Sequence, residues 1–139
     1  MLNPYLFFQD NCEAAFNFYV RALGGKIEMM MRVADGPADM PPGAPGREKT
    51  IMHARMSLPD GSVLMASDSP AEHFQKPQGF AISLTVKDPA DGERKFNALA
   101  DGGTVNMPFS KTFWAKGFGM CVDKFGTPWM VNCGSMQPS

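Results

Sequence analysis

Several features typical of particular protein classes are missing from this sequence of 139 residues. No stretch approaches the roughly 18 consecutive apolar residues of a membrane-spanning helix, and the N-terminal residues lack the pattern of a signal peptide. Lys and Arg number 13 against 14 Asp and Glu, with no basic patch. This balance argues against nucleic acid or an anionic membrane as the main partner. We therefore expect a cytoplasmic protein.

Cysteine is scarce and unevenly placed. Cys12, Cys121 and Cys133 make an odd number, they are far apart in sequence, and there is no CxxC pair. This pattern favours neither a disulfide framework nor a thiolate metal site. We interpret the three residues as small hydrophobes in a reducing compartment.

The sequence contains a weak internal repeat. A shift of 78 residues aligns Asp10 with Asp88 and Phe18 with Phe96, and a shift of 65 aligns Met65 with Met130. The first shift also matches Ala22 with Ala100, Gly24-Gly25 with Gly102-Gly103, and Met29 with Met107. We predict one domain, residues 1–139, made of two modules at about 1–69 and 79–135.

Each module has the pattern of a strand, a helix and three further strands. The first strands are predicted at 4–8 and 80–86. Asp10 with Glu13 suggests a capping box, Asp88-Pro89 suggests a helix start, and Gly24 and Gly102 suit left-handed C-caps. The later strands are predicted at 26–33, 51–58, 62–67, 104–107, 118–123 and 129–133. The fold class is therefore α+β, with two βαβββ modules.

Residues 35–49 interrupt this regularity. The segment is rich in proline and glycine, which prevents a helix or a strand ladder. A loop this long in a small domain is usually a functional lid or a disordered segment, and both interpretations remain open.

Strand alternation separates two faces of each predicted sheet, because neighbouring side chains of a strand point to opposite sides. One set is apolar and suits packing against the helix. The other set is more polar and is predicted to line a cleft between the modules. It comprises His53, Arg55, Ser67, Ser83, Thr85 and Asn132.

The sequence resembles the PhnB-like proteins of the vicinal oxygen chelate superfamily, which includes glyoxalase I, extradiol dioxygenases and bleomycin resistance proteins. Residues 5–25 and 60–68 carry part of the resemblance, and residues 112–119 and 123–132 carry its most specific part. The resemblance covers almost the whole chain. It implies a glyoxalase-like half-barrel cleft formed by the two βαβββ modules, and a homodimer that often exchanges modules.

The resemblance also implies where a metal would be held. Many enzymes of the superfamily bind one divalent ion through a His or Gln on each first strand and a Glu on each last strand. The first strands here, taken as 1–8 and 80–86, contain none of these residues, and the Glu positions fall on Met65 and Met130. Thioethers are poor ligands for hard cations. We therefore expect no metal at this position and no glyoxalase I or ring-cleaving mechanism.

Cofactors are expected to be absent as well. Some chains of this branch carry the description of a ubiquinone-type methyltransferase. In this sequence, however, no predicted strand leads into a helix through a glycine-rich turn that would hold a nucleotide-like cofactor.

Several side chains are candidates for chemistry. His53 can act as a general base near neutral pH and Arg55 can hold an anionic group, but for catalysis the favoured interpretation is a structural polar pair at the sheet edge or at a dimer contact. Trp114 lines a ligand pocket in one interpretation and a dimer interface in another. Met65 and Met130 suggest an adaptable apolar floor. Asp68 is either a charge partner for His53 or Arg55 or a turn residue, and His73 is predicted to be exposed.

Three functions remain open from the sequence. The first is a protein that binds a small anionic or aromatic molecule in a metal-free cleft. The second is a lyase, isomerase or transferase that uses His53 and Arg55 or a metal at unusual positions. The third is an interaction dimer with a vestigial cleft.

Overall fold

Each half of the chain repeats the order strand, helix, strand, strand, strand. The computed structural model describes residues 1–36 and 46–135. In it the chain divides into two compact units, Met1–Gln75 and Lys76–Ser139. The prediction of an α+β fold with two βαβββ modules is confirmed, because each unit contains one such module.

The first unit forms a sheet of four strands in the order β1-β4-β3-β2. Strand β1 is parallel to β4, whereas the other pairs are antiparallel. The elements are β1 (Tyr5–Phe8), α1 (Cys12–Leu23), β2 (Lys26–Arg32), β3 (Ile51–Ser57) and β4 (Val63–Asp68), and a short 3-10 helix (Val33–Asp35) follows β2.

The second unit repeats this topology in the order β5-β8-β7-β6, with β5 parallel to β8. Its elements are β5 (Ile82–Val86), α2 (Pro89–Ala100), β6 (Thr104–Ser110), β7 (Ala115–Val122) and β8 (Pro128–Ser135). Strand β6 continues beyond its predicted end at Met107 and through Pro108. Proline is tolerated there because β6 is an edge strand with irregular register.

The predicted helix caps are confirmed at some positions and wrong at others. Gly24 ends α1 with φ of 77°, and the Asp88 carboxylate accepts a hydrogen bond from the Ala90 amide at the start of α2. Gly102 also has φ of 77°, but it lies one residue beyond the C-cap, Asp101. The capping box at Asp10 is wrong, because the N-cap of α1 is the next residue and makes no side-chain cap.

The ends of the proline-rich segment are tied to the start of α1. Arg32 contacts Glu13 at 2.8 Å, and Arg47 contacts Asp10, also at 2.8 Å. These ion pairs explain why the two acidic residues do not cap the helix, since their carboxylates bind arginines instead. Residues 37–45, the middle of the predicted lid or disordered loop, lie outside the described residues.

One face of each sheet is buried against its helix. In the first unit the helix residues Phe16, Tyr19 and Leu23 are buried, and so are alternate strand residues such as Leu6 and Ala54. In the second unit the buried set comprises Val86, Phe96, Leu99, Trp129, Val131 and Cys133. Burial of these side chains supplies the main stabilisation of each unit. The other face of each sheet is not covered by the helix of its unit.

Candidate functional site

The face of the first sheet that α1 does not cover carries the predicted site residues of the first module. We call it the first face and define it by Tyr5, Phe7, Met29, His53, Arg55, Met65 and Ser67. One row crosses four strands, because Tyr5 pairs with Met65, Met65 with Arg55, and Arg55 with Met29. Side chains at such paired positions share a face and lie close together. The structure therefore places the four predicted residues of the first module, His53, Arg55, Met65 and Ser67, on one face, where Tyr5, Phe7 and Met29 join them.

Large apolar side chains are exposed on the first face. The exposed fraction is 38% for Tyr5, 54% for Phe7 and 37% for Met29. The rings of Tyr5 and Phe7 are in contact, with centroids 5.1 Å apart. Clustered exposed apolar groups of this kind mark binding surfaces more often than scattered ones do.

The His53 imidazole is held in place by Tyr5. The Tyr5 hydroxyl lies 3.1 Å from Nδ1 of His53, at hydrogen-bond distance. The two rings also stack with centroids 5.7 Å apart. A hydrogen bond at Nδ1 leaves Nε2 as the ring nitrogen available to a ligand. The orientation of the His53 ring on the first face is therefore fixed by Tyr5.

Arg55 supplies positive charge to the same face. Its side chain is exposed, and no carboxylate of residues 1–36 or 46–135 lies within salt-bridge distance of it. The nearby Glu28 binds elsewhere: Ser57 donates a hydrogen bond to it at 2.6 Å and Lys26 lies 3.8 Å away. These two contacts, with a smaller contribution from Arg55, lower the pKa of Glu28. Within the described parts of the chain, the guanidinium therefore keeps its donors available for an anionic group.

A corresponding second face lies on the side of the second sheet that α2 does not cover. We define it by Ser83, Thr85, Phe118, Met120, Met130 and Asn132. Ser83 pairs with Met130 and Thr85 with Asn132, so the predicted residues of β5 and β8 are neighbours. Asn132 also pairs with Phe118, which is 7% exposed. This face carries hydroxyl, amide, thioether and aromatic groups.

Trp114 lies in the turn between β6 and β7. The Thr112 hydroxyl accepts hydrogen bonds from the amides of Trp114 and Ala115, which fixes the turn. The indole contacts the Phe118 ring edge-on, with the ring centroids 5.4 Å apart. Trp114 is 37% exposed. The turn thus extends the second face with an aromatic surface.

The residues at the expected metal positions do not fit a hard divalent cation. Met65 and Met130 offer neutral, soft thioethers, and positively charged Arg55 pairs with Met65. Among the described residues, no three His, Cys, Asp or Glu side chains come close enough to hold a metal ion.

Asp68 has a structural role. Its two carboxylate oxygens accept hydrogen bonds from the amides of Cys12 and Ile51, at 2.9 and 2.8 Å. The carboxylate thereby joins the start of α1 to the start of β3. This geometry supports the interpretation of Asp68 as a local structural residue over that of a charge partner for His53 or Arg55.

Asp123 organises the most specific part of the family resemblance. Its carboxylate accepts hydrogen bonds from the amides of Phe125 and Thr127 and from Nε1 of Trp129, and Asp123 is only 3% exposed. The run Asp123–Trp129 therefore shapes the hairpin between β7 and β8. Asp123 therefore supports the sheet and belongs to neither the first nor the second face.

The three cysteines are buried, as the sequence indicated. Burial raises the pKa of each thiol, to about 11 for Cys121, where Asp123 adds to the effect. A thiolate is the reactive form of cysteine. None of the three is therefore suited to nucleophilic chemistry. His73, by contrast, is exposed as predicted.

Sequence reasoning missed the aromatic residues of both faces. Tyr5 and Phe7 lie in the run Tyr5–Phe8, where every residue is apolar or aromatic, so alternation is invisible. The internal repeat could have assigned these aromatic residues to the correct face. A shift of 78 places Tyr5 on Ser83 and Phe7 on Thr85, both already assigned to the polar face. Similarly, a shift of 65 places His53 on Phe118.

Comparisons with known proteins show close relatives. The family model described as 3-demethylubiquinone-9 3-methyltransferase matches residues 1–132. Protein YjdN of Escherichia coli K12 is 36% identical over 145 residues, which cover 99% of this chain and 98% of that protein. The described residues include no helix long and apolar enough to cross a membrane.

Solved structures agree with these matches. Protein PA1353 from Pseudomonas aeruginosa is 44% identical with a TM-score of 0.86, covering 96% of this chain and 97% of that one. A PhnB protein from Bacillus cereus is 27% identical with a TM-score of 0.77, covering 96% and 98%. A glyoxalase/bleomycin resistance/dioxygenase domain from Frankia, 16% identical with a TM-score of 0.68 and 96% of each chain covered, shows the shared fold alone.

Proposed function

The chain belongs to the PhnB-like family described as 3-demethylubiquinone-9 3-methyltransferase, within the vicinal oxygen chelate superfamily. For this member of the family we propose that it binds a small aromatic anion on the first face. The observation that carries the proposal is the combination of exposed Tyr5 and Phe7 rings with the guanidinium of Arg55, which has no salt-bridge partner among the described residues. The rings contact the flat part of the ligand and Arg55 binds its anionic group.

Each group on the first face has a defined part in this binding. Met65 and Met29 flank Arg55 in the register of the sheet and provide adaptable apolar contact. Tyr5 orients His53, whose second ring nitrogen is directed to a polar group of the ligand. Since Arg55 already supplies the positive charge, an anion needs no metal ion to hold it here.

Binding is favoured over methyl transfer, although the family description names that reaction. A nucleotide-like methyl donor is usually held by a glycine-rich turn between a strand and a helix. Here the connections are Gln9-Asp10-Asn11 before α1 and Lys87-Asp88 before α2, and neither contains glycine. We therefore propose no methyl-donor cofactor.

The proposal is tested by titrating isotope-labelled protein with benzoate, benzyl alcohol and acetate in the presence of EDTA. We expect benzoate to shift the amide resonances of β1, β3 and β4. Benzyl alcohol should bind at least about 10-fold more weakly because it lacks the charge-assisted contact with Arg55, and acetate should also bind more weakly because it has no ring to contact Tyr5 and Phe7. Arg55→Gln should weaken benzoate binding by a similar factor. Arg21→Gln on the exposed surface of α1 is the control. Equal binding of benzoate by both variants would refute the proposal.

A second candidate function is proton transfer by His53, favoured by the hydrogen bond that orients its ring. The imidazole would remove a proton from carbon next to a carbonyl group of a bound aromatic anion. Phenylpyruvate, which combines a ring, an anionic group and an acidic C–H bond, is a suitable probe. In D₂O we expect the protein to accelerate exchange at its methylene carbon and His53→Gln to remove the acceleration. Unchanged exchange in the variant would exclude this role.

We also propose that the chain forms a homodimer. Support comes from exposed apolar residues of the second unit outside the second face, among them Phe80 at 53% and Val105 at 47%. Aromatic and apolar residues are enriched at such contacts. Light scattering coupled to gel filtration should give twice the mass of 15.2 kDa. A monomer at all concentrations would contradict this proposal.

A further inference from the structure

An unpaired polar atom marks a specific point on the second face. Oδ1 of Asn132 is buried and has no hydrogen-bond partner in the part of the chain that the structure describes. A buried carbonyl oxygen without a partner lowers stability, because it has lost its hydrogen bonds to water and gained none in return. A bound molecule with an N–H or O–H group next to Oδ1 would supply the missing hydrogen bond.

The surroundings of Asn132 indicate what kind of occupant fits. Its paired neighbours are Thr85 on one side and Phe118 on the other. Phe118 in turn contacts the half-exposed indole of Trp114. The acceptor thus lies next to Phe118, whose ring contacts Trp114. Neither paired neighbour carries a charge.

The position does not need a polar residue for the fold. The adjacent Val131 and Cys133 point to the helix side and form the core. Its counterpart in the first sheet at a shift of 65 is Ser67, which is also polar and nearly buried. An apolar side chain in the place of Asn132 would avoid the cost of the unpaired oxygen.

We propose that Asn132 is the recognition residue of a second binding site, whose ligand is an aromatic compound with an amide N–H group. The N–H donates to Oδ1 of Asn132, while the ring packs against Phe118 and Trp114. A carboxylate does not fit, because it has no proton to donate to a carbonyl oxygen. The proposed anion site is defined by residues of the first unit and rests on Arg55.

The experiment uses three probes of similar size on the full chain: benzamide, N,N-dimethylbenzamide and benzoate. Binding is followed by the side-chain amide resonances of Asn132 and the indole resonance of Trp114. We expect benzamide to shift both signals and N,N-dimethylbenzamide, which lacks N–H, to bind at least about 10-fold more weakly. Benzoate should leave them unchanged, whatever its effect on the first face. Equal binding of the two amides would overturn the proposal.

Two substitutions complete the test. Asn132→Leu removes the acceptor and should abolish benzamide binding while leaving the melting temperature unchanged or higher. Asn132→Asp keeps an acceptor and should retain binding, which covers the case in which the leucine variant fails to fold. The exposed Asn106→Ala on β6 is the matched control and should behave as the parent. Retained benzamide affinity in Asn132→Leu would overturn the site, and so would its loss in Asn132→Asp with the fold intact.

Discussion

The Tyr5 hydroxyl lies 3.1 Å from Nδ1 of His53, and this contact joins the first strand of the sheet to the third. Strand β4 lies between them in the sheet. The contact therefore crosses a whole strand diagonally, over the first face, and the stacked rings reinforce it. A residue of β1 thus fixes the orientation of a histidine ring on β3.

This contact predicts a single tautomer of neutral His53. We expect Nδ1–H of His53 to donate to the Tyr5 hydroxyl oxygen, which leaves Nε2 unprotonated and able to accept a proton or a hydrogen bond. In Tyr5→Phe the hydroxyl is lost while the stacking ring remains, so the two tautomers should mix. Long-range ¹H–¹⁵N correlation spectra at alkaline pH distinguish these states. Phe7→Leu, which leaves the hydroxyl in place, should keep the parent pattern, and a mixed pattern in the parent protein would contradict the prediction.

The sequence predicted the first face only in part. His53 and Arg55 were found because polar residues alternate with apolar ones in β3. Tyr5 was missed because its strand has aromatic or aliphatic residues on both faces, so hydropathy does not separate them. The pairing of Tyr5 with Met65 depends on the sheet order β1-β4-β3-β2. Such a non-local arrangement is not contained in the pattern of any single strand.

Asp123 lies outside both faces, yet we expect its substitution to lower the stability of the protein strongly. Asp123→Ala leaves three buried or partly buried donors without their acceptor: the amides of Phe125 and Thr127 and the indole of Trp129. We expect the free energy of unfolding to fall by about 2–4 kcal/mol, as breaking a buried network usually does. Urea denaturation followed by tryptophan fluorescence measures this change.

The matched control for Asp123 is Asp60, in the corresponding turn of the first unit. Its carboxylate accepts a hydrogen bond from the Ser62 amide at 2.8 Å, but the residue is exposed. Asp60→Ala should therefore cost about 1 kcal/mol or less. Similar losses for the two variants would mean that burial of the Asp123 network does not matter.

Gly92 on α2 packs so closely against Cys133 on β8 that there is no room for a larger side chain at position 92. A Cβ atom built on Gly92, in α2, would lie 1.9 Å from Sγ of Cys133 on β8. Gly92→Ala should therefore destabilise the protein by about 1–3 kcal/mol, as overpacking does, although alanine favours helices. The variant is measured by thermal or urea denaturation.

The Cys133→Ala background tests this explanation. There the colliding sulfur is absent, and the other distances from the Gly92 Cβ, 3.4 Å to Phe109 and 3.6 Å to Cβ of Cys133, are close to ordinary contacts. The cost of Gly92→Ala should shrink or reverse in that background. An unchanged cost would place the effect elsewhere than in the contact between α2 and β8.

Much of the fold could be predicted from local patterns, whereas details that depend on packing could not. The order of elements follows from alternation, helical spacing and turn residues, and it repeats in both modules. The failed capping box shows the limit. Asp10 and Glu13 have the spacing for a cap, but Arg47 and Arg32, far away in sequence, take their carboxylates. A long-range ion pair overrides a local preference here.

The buried thiols predict a loss of stability at alkaline pH. The pKa of Cys121 is raised to about 11 in the folded protein by burial and by Asp123, and the pKa values of Cys12 and Cys133 are raised as well. In the unfolded chain a thiol loses its proton near pH 8.5. Above that pH the unfolded state binds fewer protons than the folded state, so the free energy of unfolding falls as pH rises.

For Cys121 this loss runs from about pH 8.5 towards its folded pKa of about 11, at up to ~1.4 kcal/mol per pH unit. Urea denaturation at pH 8 and pH 10 measures the slope, and Cys121→Ala should make it shallower by the share of one thiol. Lysine and tyrosine also titrate in this range, so the difference between parent and variant is the informative quantity. Equal slopes would mean that Cys121 ionises in the folded protein as readily as in the unfolded chain. The thiol would then be accessible, and the core between α2 and β7 would be looser than the packing of Cys121 indicates.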